Sequence, residues 1–193
     1  DASSTAADVQ LAWRPLPALT VTVGPTVRHN IVAAQYLSTV ADPLATQTFG
    51  SRYVFAGLDQ TEVSMTTRVN LTTSPRTSLQ MYLQPLISAG DYGAIKEVAA
   101  PRTFDFLRYG IDVGTITSSG GRLTIDPDGA GAAAPFSIAE PDFNVRSLRL
   151  NAIFRWEFRP GSTLFVVWTQ QRRDRAASGE FDLSSDVSHL FAA

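Results

Sequence analysis

Residues 146–173 read RSLRLNAIFRWEFRPGSTLFVVWTQQRR, and the alternation inside this stretch decides the fold class. Leu148, Leu150, Ala152, Phe154, Trp156 and Phe158 fall on one side of an extended chain. Ser147, Arg149, Asn151, Arg155, Glu157 and Arg159 fall on the other, because strand side chains alternate between faces. Only Ile153 breaks the polar row. Arg159-Pro160-Gly161-Ser162 supplies a tight turn, since proline presets φ at its second position and glycine tolerates positive φ at its third. The spacing predicts a β-hairpin with one apolar and one arginine-rich face. It places Leu148, Leu150, Phe154 and Trp156 in the interior, with Arg149, Arg155 and Arg159 outside the apolar core.

Outward from the hairpin, residues 62–73 repeat the design. Val63, Met65, Thr67, Val69 and Leu71 share one face; Glu62, Ser64, Thr66, Arg68, Asn70 and Thr72 share the other. Ser74-Pro75-Arg76 forms the next turn, after which Leu79, Met81, Leu83 and Ile87 continue an apolar row over 77–88. Further strands are expected over 18–23, 30–38 and 52–58, and a shorter hairpin over 115–117 and 122–125. Short turns between them favour antiparallel neighbours. A short helix is expected around Ile95 to Val98, and Ser178 to Phe191 reads as a turn leading into a short helical segment. The expected fold class is all-β: an antiparallel sheet, partial barrel or sandwich-like, with short helical segments near the C-terminus. Residues 18–193 form a single antiparallel β domain in this reading. Residues 1–17 precede it as an extended arm whose Pro15 and Pro17 prevent regular pairing.

At 193 residues the chain can bury one sizeable core. Its net charge of −2, with Lys96 the only lysine, leaves no basic footprint for nucleic acid. The absence of cysteine excludes disulfides, thiolate nucleophiles and Cys-ligated metals. No apolar run approaches the roughly 20 residues of a membrane helix. The chain opens on Asp1 with no leader-like segment, which reads as a mature or trimmed polypeptide.

Catalytic and metal chemistry finds little footing. His29 and His189 lie at opposite ends of the chain and form no metal-spaced pair. Asp126, Asp128 and Gly129 echo part of a calcium loop, but the remaining oxygen ligands are missing at the required spacing, so a plain turn is expected. Asp182 and Asp186 stand one helical turn apart, an arrangement commoner in capping than in acid–base work. No nucleophile elbow or phosphate loop is present. No enzyme activity, metal or cofactor is expected. Trp13, in its proline-bounded arm, is an anchor candidate, and the expected partner-binding residues are Trp13, Arg14, Pro15, Arg149, Arg155 and Arg159.

Several motifs, taken together, resemble a known family. They are Phe49-Gly50-Ser51-Arg52-Tyr53-Val54-Phe55-Ala56, Ser78 to Pro85, Ser88-Ala89-Gly90-Asp91-Tyr92, and the long run Arg155 to Trp168. In this order they resemble the C-terminal part of the DUF5916 family, bacterial proteins with a family-9-like carbohydrate-binding domain followed by a membrane-type β-barrel. The resemblance covers most of 49–191. The carbohydrate-binding region and much of the barrel's first half have no counterpart here. Family members also tend to continue past the segment that resembles Phe181 to Phe191 into a last strand. The resemblance therefore implies a barrel fragment lacking both ends, unable to close alone.

The leading expectation is a non-catalytic structural subunit of a membrane-associated, extracytoplasmic assembly, bound to other protein subunits and peripheral rather than helix-spanning. The periplasmic face of a photosynthetic reaction-centre and light-harvesting complex is one specific seat, suggested by phototrophic bacteria among those that carry the family. Two alternatives stand beside it: part of an outer-membrane β-barrel for pore or transport function, or a glycan-binding module using Trp13, Trp156 and Trp168. Localisation is expected to be periplasmic or outer-membrane-associated, in a bacterium.

Overall fold

The computed structural model describes residues 2–192. In chain order the elements are β1 (Ala2–Asp8), β2 (Leu11–Leu16), β3 (Leu19–Ala41), a 3-10 turn (Thr46–Thr48), β4 (Ser51–Ser74), β5 (Thr77–Val98) and β6 (Phe106–Arg108). They continue with β7 (Thr115–Ser119), β8 (Arg122–Asp126), β9 (Phe136–Ala139), β10 (Phe143–Arg159), β11 (Ser162–Ala176) and α1 (Leu183–Ala192). The large sheet runs β1-β3-β4-β5-β10-β11, with β2 following β1 along the free side of β3 and β6 short against β5. β7, β8 and β9 form a second small sheet. Every ladder is antiparallel, and β11 does not pair back onto β1 or β2, so the large sheet is open. The fold is all-β, with one short helix near the C-terminus.

Three strands are far longer than the sequence pattern predicts. Segments 18–23 and 30–38 are one strand, β3; segments 52–58 and 62–73 are one strand, β4; and 77–88 runs on to Val98 as β5. The helix expected around Ile95 to Val98 is absent, because Lys96, Glu97 and Val98 pair with Arg108, Leu107 and Phe106. Nor is the arm unpaired. Ala2 to Asp8 lie opposite Val32 to Thr26, and Leu11 to Trp13 opposite Val23 to Val21. A register irregularity between Trp13 and Leu16 absorbs Pro15.

Pro25 sits inside β3, opposite Met65. Its carbonyl accepts from Val9 N at 3.1 Å, at the break between β1 and β2. A strand residue points its N and its C=O to the same side, so the missing N–H of Pro25 faces that break and removes no ladder bond.

The register aligns the alternating rows of neighbouring strands. Val27, Val63, Ile87, Arg146 and Asp174 share one level, and Val21, Val69, Met81, Ala152 and Trp168 another, all on one face. Within the hairpin that reveals the pattern, Leu148 is buried, Leu150 and Phe154 are only half-buried, and Trp156 is 46 % exposed. Trp156 is thus not an interior residue: it stands near the tight-turn end of an open sheet, opposite Leu164, with only Phe158 beyond it on the same row of β10. Arg149 and Arg159 are exposed and Arg155 half-buried, outside the apolar core.

The compact core lies at the other end, away from the tight turns. Val54, Ala56, Ile95, Tyr109, Leu123 and Ile125 pack together there, with Ile116, Phe136 and Ile138 from the small sheet against them. Val54 and Ala56 belong to the β4 row that also carries Gln60 and Glu62. The small sheet therefore folds over the polar-face side of the large one.

Candidate functional site

The candidate site is the large sheet itself, two-faced along its whole width. On the apolar face, β3 contributes Leu19 to Val27, β4 Val63 to Leu71, β5 Leu79 to Ile87 and β10 Leu148 to Trp156, each a nine-residue span whose alternate side chains are mainly apolar. Nine residues reach about 27 Å along the strand at roughly 3.3 to 3.4 Å per residue. The edge strands extend the band with Leu11, Trp13 and Leu16 on β2 and Leu164, Val166 and Trp168 on β11. All three tryptophans stand on this face, Trp13 65 % and Trp168 60 % exposed. Near the tight turns, Trp156 and Phe158 lie with ring centroids 6.0 Å apart. At the opposite limit the band ends on charge: His29 Nε2 lies 2.6 Å from Asp59 Oδ1, and Arg146 Nη1 3.2 Å from Asp174 Oδ2.

Helix α1 lies across the charged limit of the band. Leu183, Val187 and Leu190, spaced to share one helix face, border Pro25, Val63, Met65, Pro85 and Ile87. Its first turn is capped by Asp182, whose Oδ1 accepts from Ser184 N at 2.9 Å and Ser185 N at 3.1 Å. Asp186, 3 % exposed, turns its carboxylate to the sheet. Its Oδ1 accepts from Asn144 Nδ2 at 2.9 Å and sits 3.1 Å from Arg146 Nε, while its Oδ2 accepts from Asp182 N at 3.2 Å. Both aspartates thus cap the helix and fasten it.

The opposite face is polar and carries more positive than negative side chains. Arg28, Arg68, Arg149, Arg155, Arg173 and Arg175 share it with the carboxylates Asp8, Glu62 and Glu157. Arg155 lies 3.6 Å from Glu157 and also donates to the Pro75 carbonyl at 3.4 Å. Arg68 lies over the Tyr82 ring, 5.5 Å from its centroid. Arg28, Arg68, Arg149, Arg173 and Arg175 form no ion pair among the described residues. Ser64, Gln84, Ser147 and Arg149 line a shallow depression beside Glu62. β11 carries apolar groups on this face as well, Phe165 and Val167, both exposed.

At the end bearing the small sheet, Arg52 Nε donates to Asp42 Oδ2 at 2.6 Å and its Nη1 to both Glu97 oxygens at 2.8 and 2.9 Å. Burial alone would lower the Arg52 guanidinium; the bonds to Asp42 and Glu97 outweigh it and raise it, while the bond from Arg52 holds Asp42 below the ordinary carboxylate range. Tyr109, 2 % exposed, has a hydroxyl that makes no well-formed hydrogen bond among the described residues, and burial, reinforced by the nearby Glu97 carboxylate, pushes it well above the ordinary phenol range. Gly114, at φ +56°, leaves room for the Asp126 carbonyl that any side chain would strike. In the Asp126 to Gly131 loop, Asp126 Oδ1 accepts from Gly129 N at 2.9 Å and Asp128 Oδ2 from Ala133 N at 2.9 Å, so both carboxylates serve as turn caps. Among the described residues no cluster of three or more His, Asp or Glu is disposed to hold a metal ion.

The six expected partner-binding residues do not converge. Arg149 and Arg155 stand on the polar face of β10, and Arg159 is exposed at its end. Trp13 is on the apolar face of β2, with β3, β4 and β5 between it and β10. Arg14 donates to the Pro17 carbonyl at 3.2 Å, and Pro15 lies at the register irregularity. Sequence reasoning passed over Arg146, whose signal is present: it occupies an apolar-row position two residues before Leu148, where an arginine requires a partner. Comparison with known protein families, with curated proteins and with solved structures finds no match.

Proposed function

We propose that the large sheet is a stretch of membrane-spanning barrel wall, its apolar face turned to lipid and its arginine-bearing face to an aqueous interior. The observation that carries this reading is the set of nine-residue apolar rows on β3, β4, β5 and β10, aligned in register and closed off at one limit by Trp156 and Phe158 and at the other by ion pairs. A tilted spanning strand needs about 9 to 11 residues, alternates apolar-out with polar-in, and meets aromatic residues at the interface. The short turns all lie at one end and the long connection carrying the small sheet at the other, as in barrels with short turns on one side and long loops on the other. Segments 18–23 and 122–125 are each too short to span; the first is part of β3, which runs for 23 residues, whereas the second remains short, as β8 of the separate small sheet.

A second reading is favoured by one observation. Helix α1 seats Leu183, Val187 and Leu190 on the same apolar face, so that face also accepts protein. A structural subunit of a membrane-associated assembly would use it in that way. Nothing in the sheet singles out a photosynthetic complex. A glycan platform is disfavoured, because Trp13, Trp156 and Trp168 stand on three different strands among mainly apolar neighbours, Val21, Leu164 and Ala152, with Thr77 opposite Trp156 the one hydroxyl directly paired with them.

Vesicles whose acyl chains carry bromine test the proposal. All three tryptophans share the apolar face, so quenching of the protein's indole emission is expected on reconstitution. Unquenched emission, together with co-purification at fixed stoichiometry with another membrane polypeptide, would replace the barrel wall with the subunit reading.

A further inference from the structure

We infer that the polar face is built to take small anionic solutes, carboxylate- or phosphate-bearing, along its length; this rests on the barrel-wall reading. The chain as a whole is slightly negative, at −2, yet the charges are unequally shared between the two faces. On the polar face Arg28, Arg68, Arg149, Arg155, Arg173 and Arg175 outnumber Asp8, Glu62 and Glu157. A single-signed excess along a low-dielectric wall concentrates counter-ions of the opposite sign.

The placement of these arginines adds to the argument. Arg173, Arg149 and Arg155 descend the sheet from the small-sheet end towards the tight turns, opposite Ser147, Gln84 and Ser78 respectively. Arg68 lies at a level between Arg149 and Arg155, on β4. Arg68 shares its level with Thr22, Asn151 and Thr169, and the level between Arg68 and Arg155 carries Thr20, Asn70 and Gln80; the carboxylates Asp8 and Glu62 stand towards the small-sheet end, on the levels of Arg173 and Arg175. Arg155 alone of this descending set meets a carboxylate, Glu157, and at 3.6 Å the pair is loose. An anion moving along this face meets the guanidinium forks of Arg173, Arg149 and Arg68, which pair with no acidic side chain among the described residues, and then the loosely paired Arg155; each fork is shaped to hold two oxygens of a carboxylate or phosphate. Spaced arginines are the arrangement by which pores for anions select their solute without trapping it.

Planar bilayers separating unequal KCl solutions, with the purified chain added, test the inference. The expected reversal potential lies on the chloride side of zero, and the double variant R149E/R173E should move it towards the potassium side. Arg149 and Arg173 are exposed and form no ion pair among the described residues, so the variant leaves the fold intact; R149Q/R173Q, which removes charge without reversing it, should shift the potential in the same sense by less. A conductance that prefers potassium, or one whose selectivity ignores both variants, overturns anion selection and leaves the barrel wall standing. Absence of any conductance overturns this inference, and the barrel wall is then decided by the bromine quenching of the indole emission.

Discussion

Met81→Arg separates a lipid-facing band from an apolar surface that meets water. Met81 lies close to the mid-height of the band, paired with Val69 on β4 and Ala152 on β10, and away from the residues that α1 covers. An arginine at the bilayer mid-plane of a barrel costs about 2 to 4 kcal/mol, falling towards zero near the interfaces. Loss of the methionine's partial burial adds about 1 kcal/mol wherever the sheet resides. The neighbouring Gln80 is exposed on the polar face and supplies the control; Gln80→Arg should stay within about 0.5 kcal/mol of the parent. The assay is reversible urea unfolding in phosphatidylcholine vesicles, followed by tryptophan emission. A gap between the two variants of about 2 kcal/mol or more is expected. If Met81→Arg falls within about 1 kcal/mol of Gln80→Arg in lipid, the apolar face does not face acyl chains and the reasoning fails.

Two further outcomes follow from the buried polar groups. Asp186→Ala strands Arg146 without the carboxylate on its Nε and frees α1 from the sheet; a cost of about 3 to 5 kcal/mol is expected in urea unfolding, with early hydrogen exchange in α1, and a change below about 1 kcal/mol would contradict the ion pair. Tyr109 ionises less readily folded than unfolded, so the unfolded state loses its proton first: stability is retained below about pH 10 and falls as pH rises past that value. Tyr109→Phe should remove that alkaline loss and leave stability at neutral pH equal or greater, since the hydroxyl makes no well-formed hydrogen bond among the described residues; a drop at pH 7 on thermal unfolding would show that it has a partner.

The two faces of the sheet are legible in the sequence because alternation is a local property of two strands, and Leu148 to Phe158 and Val63 to Leu71 display it with only Ile153 and Thr67 out of pattern. Strand length is not. Gly24-Pro25 and Gly57 carry the marks of turns, yet Pro25 is tolerated because the break between β1 and β2 faces its nitrogen, and that depends on residues far away in sequence. Ile95 and Val98 have helical spacing, overridden by the pairing of Lys96 to Val98 with β6. The helix α1 is legible from Leu183, Val187 and Leu190. Its seat is not, since the Arg146 to Asp186 contact joins segments that no local pattern relates. The arginine ladder on β10 could be read at once, but its extension across the sheet to Arg28, Arg68, Arg173 and Arg175 required the register of every intervening strand.

The directions of the two open edges constrain what can sit beside them. β2 runs towards the tight-turn end of the sheet and β11 away from it, so the outermost strands are antiparallel to each other. Neighbours that complete the wall with the same alternation of direction must add an even number of strands, whether hairpins or further copies placed side by side in one orientation. A single added strand would leave one parallel seam, and a copy inserted upside down would carry its long connection to the side of the short turns. Orientation and parity of any completed ring are thereby written into the direction of the two edge strands.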